Sequence, residues 1–435
     1  MMATAPTSMA TAVRIRLSIV ASLATLLAAG GTADGKGLPA PGEPPLRGVQ
    51  IHPTDRSNMA LDLVREAGFN MVRTGFYWYS SETAPDSYVW AAYDRLVARL
   101  NRRGLRVMFT LYGQVKHYGD DTVPRTNVQI AAFARWAAAA ARRYRNDDVI
   151  WEIWNEPNLP RFWQPQPSAA EYQRLVEATC AEIRKTVPKA TIVGGALAGA
   201  TLIPENFFGY ARSLDSAAFR GCLDGLTIHP YRDGPPETVS QTYDKLASSV
   251  KGLPRVLSGE WGYTTTGQTR VDEERQAEFA VRSFQANAAA GIPLSVWYML
   301  RDRVGEQSDR ETGFGLLKAD LGPKPAYRAL SVSNRMLSGL SFEGVCGPTV
   351  QGFVALTHGG DGGRRVISAW TLGAPGSLVL DTGVVAGPMV MGDGQDIAVD
   401  PTQSRTSVPL SGLPVYVPIR TGVPVSCGFH QEVSR

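Results

Sequence analysis

Val149-Ile-Trp-Glu-Ile-Trp-Asn-Glu-Pro-Asn158 is an apolar, β-prone run that stops abruptly at an amide and a carboxyl side by side. An apolar stretch of this length, closed by a polar turn, suits a strand buried on both faces. Pro157 has no N–H to give to a ladder, so the strand has to end there. The same arrangement returns at Arg255-Val-Leu-Ser-Gly-Glu-Trp-Gly-Tyr263, where a second run ends in a second carboxyl, Glu260.

Working outward, six more runs of this kind appear: Gly48–His52, Met71–Trp78, Arg106–Tyr112, Thr191–Leu197, Gly225–His229 and Leu294–Leu300. Gly, Pro and Asn bound them, and amphipathic stretches at helical spacing lie between them, as in Met59–Ala67, Tyr93–Arg103, Val128–Tyr144, Ala169–Thr186 and Glu273–Ala290. Eight buried strands alternating with helices predict an α/β fold, a (β/α)8 TIM barrel over residues 46–338. After Tyr327–Leu340 the helical period stops. Short β-prone runs follow at Gly352–Thr357, Arg365–Leu372, Ser377–Leu380, Met389–Met391 and Leu413–Ile419, with Gly-Asp-Gly turns at Gly360–Gly362 and Gly392–Gly394. Residues 339–435 are therefore expected to form a small C-terminal β-sandwich packed against the barrel.

At the other end, Arg14 and Arg16 precede an apolar run from Leu17 to Ala29 and small residues through Gly35. That run is too short to span a bilayer but has the length of an export-signal core. Residues 1–35 are thus expected to be a signal peptide, and the Pro-rich 36–45 a linker. The mature protein is expected to be secreted or periplasmic, without stable membrane insertion, and a monomer. Four cysteines suit an oxidising compartment. Three pairings are open; Cys180 with Cys222 and Cys346 with Cys427 is the simplest, and four buried thiols are the alternative. A net charge of +4 over 435 residues gives no reason to invoke nucleic acid.

In a barrel of this kind the active site forms at the C-terminal ends of the strands. Glu156 follows the fourth strand and Glu260 ends the seventh, so both carboxyls reach the same rim. Breaking a glycosidic bond needs such a pair, one to protonate the leaving oxygen and one to attack or to activate water. The chain lacks a His-Glu-x-x-His pattern, a phosphate loop and a Gly-x-Ser-x-Gly elbow, and no Cys-x-x-Cys suggests zinc. No cofactor and no metal are expected. The partner expected is an oligosaccharide or polysaccharide.

These motifs resemble clan A of the glycoside hydrolases, which carries Asn-Glu-Pro at the end of strand four and a nucleophilic Glu at the end of strand seven. Val72-Arg-Thr-Gly-Phe-Tyr-Trp78 is similar to the usual second-strand region of that clan, and Trp154-Asn-Glu-Pro-Asn-Leu159 with Phe162-Trp163, together with His229-Pro-Tyr231, looks most like glycoside hydrolase family 39, a family of retaining β-glycosidases. The resemblance implies Glu156 as general acid/base, Glu260 as nucleophile, and Asn155 as the contact to the sugar 2-hydroxyl. It further implies Arg73 as the counter-charge of Glu260, with Tyr231 and His229 in the same network. Trp297 is expected to floor the subsite of the cleaved sugar. Trp78, Tyr112, His117, Trp163, Trp261 and Tyr263 are expected along the cleft, with Lys116 beside His117. Short βα loops favour an open groove on a polysaccharide; an exo-acting β-xylosidase or β-glucosidase and a non-catalytic carbohydrate-binding barrel are the competing readings.

Overall fold

The computed structural model describes residues 37–431, apart from 251, 253, 348–351 and 401. The segment expected to be an export signal lies outside the described residues.

Eight parallel strands close into a barrel: β1 (Leu46–Gln50), β2 (Met71–Tyr77), β3 (Arg106–Tyr112), β4 (Val149–Ile153), β5 (Thr191–Ala198), β6 (Gly225–His229), β7 (Arg255–Trp261) and β8 (Leu294–Trp297). Each is hydrogen-bonded to its sequence neighbours, and β8 closes on β1 through the register Leu46↔Leu294 to Val49↔Trp297. The helices α1 (Asn58–Glu66), α2 (Ala91–Asn101), α3 (Asn127–Arg143), α4 (Ala169–Thr186) and α8 (Glu273–Ala289) fall within two residues of the periodic stretches. Between them the structure adds α5 (Pro204–Ser213), α6 (Ala217–Cys222) and α7 (Val239–Ser249), and α9 (Pro325–Met336) follows the barrel.

The barrel interior is layered. Met71, Met108, Ile150, Val193, Leu257, Leu294 and Val296 fill its lower end as an apolar plug. Residues 37–45, expected to be a linker, run beneath it, and Leu38 packs against this plug. Two residues further along the strands the interior turns ionic, with Arg73 on β2 and Glu152 on β4 both fully buried. That change in layer builds the floor of the site.

The C-terminal region forms two antiparallel sheets. The strands are β9 (Ser341–Val345), β10 (Phe353–Gly359), β11 (Arg365–Thr371), β12 (Gly376–Asp381), β13 (Met389–Val390), β14 (Asp396–Ile397), β15 (Arg405–Leu410), β16 (Val415–Ile419) and β17 (Gly428–Gln431). One sheet runs β9-β10-β11-β16-β13-β14 and the other β15-β12-β17. Apolar side chains such as Ile367, Leu378, Val408 and Val417 fill the space between them. The barrel side of the larger sheet buries Val366, Val390 and Tyr416 against Val332 and Leu337. The junction is also ionic: Arg282 of α8 forks onto Glu237 at 2.7 and 2.8 Å, and Trp370 of β11 donates to the same carboxylate at 2.9 Å. Disulfides join Cys180 to Cys222 and Cys346 to Cys427.

Candidate active site

The strand β4 stops because the backbone turns left-handed. Trp154 has φ 69° and Glu156 φ 46°, conformations that side chains of this size rarely adopt. In an extended strand Asn155 and Glu156 would point to opposite faces; the turn brings both side chains into one cavity. Strain of this order, about 1–3 kcal/mol per residue, persists where surrounding contacts impose it. Here β5 imposes it. At Gly195 and Ala196 the strand bulges, with φ 99° and 43°, and the Ala196 carbonyl turns to accept the Glu156 N–H at 3.2 Å. The bulge is itself held by the Tyr172 hydroxyl on Gly195 N and the Thr227 hydroxyl on Ala196 N.

Arg73 organises the floor. Its Nε donates to Glu152 Oε2 at 2.8 Å, Nη1 to Glu260 Oε2 at 2.6 Å and to Gln50 Oε1 at 3.1 Å, and Nη2 to Asn155 Oδ1 at 2.9 Å. Burial by itself would lower the Arg73 pKa, but the charges of Glu152 and Glu260 more than reverse that, and the guanidinium is raised above its usual range. Thr110 gives Glu152 Oε2 a further hydrogen bond at 2.7 Å. Tyr231 donates its hydroxyl to Glu260 Oε1 at 2.9 Å. Burial, and then the Glu260 charge, push the Tyr231 phenol well above its ordinary value, so it stays a donor. On the other carboxyl, His229 Nδ1 lies 2.8 Å from Glu156 Oε1.

The two carboxylates face each other across this network, one oxygen of each within 4.8 Å. Their cavity has a volume of about 570 Å3. Glu156, His229 and Glu260 could in geometry also hold a metal ion. Arg73 at 2.6 Å already supplies the counter-charge of Glu260. What the arrangement offers chemically is one carboxylate fixed by a cation and a phenol, opposite a second carboxyl paired with an imidazole.

The sequence model of the cellulase family, glycosyl hydrolase family 5, matches residues 33–301. The chain belongs to that family. This family 5 chain is a glycoside hydrolase, and the expected kinship with clan A holds. No curated protein matches the chain. Among solved structures it is similar to a family 39 glycoside hydrolase from Bacteroides cellulosilyticus WH2, with TM-score 0.69 and 22% identity over 87% of this chain and 81% of that one. A monomeric β-xylosidase from Caulobacter crescentus CB15 gives TM-score 0.62 at 16% identity, covering 89% of this chain and 98% of that one. A glucosidase from Croceicoccus marinus gives 0.64 at 14%, covering 89% and 98%. At such identities the likeness is one of fold.

Of the residues singled out in the sequence, the structure brings together Arg73, Asn155, Glu156, Tyr231 and Glu260, with Tyr112 on the wall and His229 directly behind Glu156. The indoles are corrected. Trp297 does not floor the cavity: it is 1% exposed, and the loop after β8 closes over it, Phe314 accepting its Nε1 at 3.2 Å. The neighbouring Tyr298 lines the cavity instead. Trp78 is buried, stacked between Tyr118 and Trp136 and bonded to Glu82. Trp163 is buried with its Nε1 on Glu171, and Trp261 is buried beneath the Arg232 guanidinium. Each indole sits on the helix-facing side, where packing takes it out of reach. His117 and Lys116 occupy an exposed turn outside the cavity, His117 being 3.6 Å from Glu82. Tyr263 turns away to bond the Gly234 carbonyl.

Sequence reasoning missed Glu152, His52, Tyr298, Arg303, Arg310 and Phe314. Only Glu152 left a signal: a carboxyl inside Val149-Ile-Trp-Glu-Ile-Trp154 has to find a buried partner. His52 is held neutral at neutral pH by burial and then by the Arg303 charge beside it.

Proposed function

We propose that the chain cleaves β-glycosidic bonds with retention of configuration by a two-glutamate double displacement. The observation that carries this reading is the separation of the pair. One oxygen of each carboxylate lies within 4.8 Å of the other. They match the roughly 5–5.5 Å spacing of retaining enzymes and not the ~6.5–9.5 Å of inverting ones. Glu260, fixed by Arg73 and Tyr231, attacks the anomeric carbon. Glu156 gives its proton to the departing oxygen. The glycosyl ester on Glu260 is then opened by a water that Glu156 deprotonates. Asn155, held by Arg73 Nη2, is assigned the contact to the sugar 2-hydroxyl.

A cavity of about 570 Å3 falls in the ~300–1,000 Å3 range of pockets that enclose a small ligand. Short β-glycosides, such as β-xylosides or β-glucosides, are the substrates proposed, with a polysaccharide laid in an open groove as the alternative. The junction through Arg282, Glu237 and Trp370 favours a structural role for the sandwich. Two disulfides support export to an oxidising compartment. Among the described residues no helix is long and apolar enough to cross a membrane. The protein is proposed to act as a monomer.

The test is a screen of aryl β-glycosides with the first-formed product anomer followed by NMR. Retention and a β-substrate are expected, and Glu260→Gln should abolish turnover while glycan affinity remains. An inverted anomer would rule out the double displacement. Glycan binding by a wild-type protein that hydrolyses nothing would favour the binding-module reading.

A further inference from the structure

The two walls of the catalytic cavity differ in chemistry. On one side, from the loops after β1 and β8, the lining is polar and internally bonded apart from Phe314: Tyr298 donates to Glu311 at 2.9 Å, and Arg303 donates to the Tyr298 hydroxyl at 2.7 Å and lies 3.1 Å from His52 Nε2. On the other, from the loops after β4 and β5, the lining includes Leu159, Phe162, Leu202 and Ile203, with Arg161 the charged side chain among them, its guanidinium 5.5 Å from the centre of the Phe162 ring. Leu202 is 53% and Ile203 41% exposed. Large aliphatic side chains left open to water beside a catalytic pair mark a surface that is covered in use.

This wall is built rather than incidental. Asn158, three residues past Asn155, clamps Ala198 at the end of β5 by bonding both its carbonyl at 2.8 Å and its N–H at 3.1 Å. The following turn closes on itself, Ile203 N on the Gly199 carbonyl at 2.8 Å, and Thr201 ties it to the Tyr231 carbonyl at 2.7 Å. Gly199 stands at φ +88°, and a Cβ there would come within 2.4 Å of Ile203 Cγ1. The glycine lets Ile203 fold over the turn towards the cavity.

Its position decides what it holds. Glu156 and Leu159 share the loop after β4, so the apolar wall flanks the carboxyl that protonates the leaving oxygen; the polar wall lies across the cavity. We infer that the enzyme takes glycosides whose leaving group is an apolar alkyl chain, held against Leu159, Phe162, Leu202 and Ile203. The inference rests on the assignment of Glu156 as proton donor. Sugar hydroxyls placed on these four side chains would give up water without gaining a partner, whereas each methylene covered there is worth about fourfold in binding.

The test takes the glycone best hydrolysed in the aryl β-glycoside screen and compares kcat/KM for its methyl, hexyl and octyl β-glycosides and for a disaccharide with the same glycone. The octyl glycoside should exceed the methyl by tenfold or more and should also exceed the disaccharide. In Leu202→Ser and Ile203→Ser the octyl-to-methyl ratio should fall at least threefold. Octyl and methyl glycosides turned over equally, or a disaccharide preferred to both, would overturn the inference and leave the hydrolase reading standing. Titration of octyl and methyl β-glucosides into Glu260→Gln separates the two claims further. Octyl-selective binding that Leu202→Ser removes, beside a wild type that turns over nothing, would keep the wall and sink the hydrolysis; loss of both sinks both.

Discussion

Arg73 Nη1 lies 2.6 Å from Glu260 Oε2, and the same guanidinium holds Glu152 from its other edge. One cation is thus shared by two carboxylates, Glu152 buried and Glu260 at the cavity floor. Removing one member of a buried ionic group costs about 3–5 kcal/mol, because the others stay charged and unpaired. Arg73→Met is expected to lose that much stability in chemical denaturation. Adding Glu152→Gln should restore part of the stability but little of the activity, since Glu260 still lacks its counter-charge. Activity recovering together with stability would show that Arg73 acts only as a structural ion.

Tyr231→Phe removes a single hydroxyl that donates to Glu260 Oε1 at 2.9 Å. A hydrogen bond to a charged group contributes about 1.5–3 kcal/mol, so kcat/KM should fall about ten- to hundredfold. A thermal melt run alongside separates this loss from unfolding. An unchanged rate would remove Tyr231 from the machinery.

If Glu156 is the acid, Glu156→Ala should lose about 10²–10⁴-fold on a methyl β-glycoside, whose leaving group needs a proton. With a dinitrophenyl glycoside the first step needs none and should be largely spared, and added azide should trap the glycosyl ester as a β-glycosyl azide. Equal losses on both substrates would argue against this role.

Acid should loosen the junction between barrel and sandwich. His358 of β10 is buried, 3.0 Å from Ser368 Oγ, and burial followed by the nearby Arg47 charge lowers its pKa from 6.5 to about 3. Between those values the unfolded chain takes a proton that the folded one refuses. Stability is therefore fully present above pH 6.5 and falls as pH drops, by up to about 1.4 kcal/mol per unit. His358→Asn should flatten the slope of denaturation midpoints between pH 6.5 and 5; an unchanged slope would assign the effect elsewhere. His52, lowered by burial and by Arg303, acts in the same direction.

Serine at both Cys346 and Cys427 should destabilise the protein by about 2–5 kcal/mol, read in denaturant, because this disulfide closes an 81-residue separation. No loss would mean that the sheets hold the sandwich without it.

The sandwich was only partly legible. The strands Phe353–Gly359 and Arg365–Thr371 stand out as apolar runs, whereas Ser341–Val345 and Gly428–Gln431 are edge strands without a clear alternation. Arg405–Leu410 alternates exposed and buried residues, but Pro409 and three polar positions mask it in the sequence.

By itself the sequence determined the barrel, because eight buried apolar runs separated by helices admit few other arrangements, and it named the carboxyls Glu156 and Glu260, because each ends such a run. The tertiary structure decided what surrounds them. Strand β2 carries Arg73 across the barrel to Glu152 and Glu260; the bulge at Gly195–Ala196 fixes the backbone of Glu156; packing takes the indoles of Trp78, Trp163, Trp261 and Trp297 out of the cavity. The first two depend on contacts between residues 40 to nearly 190 positions apart, as from Glu156 to Ala196 and from Arg73 to Glu260. A local pattern reports which face a residue occupies. It does not report which side chain from another strand arrives to meet it.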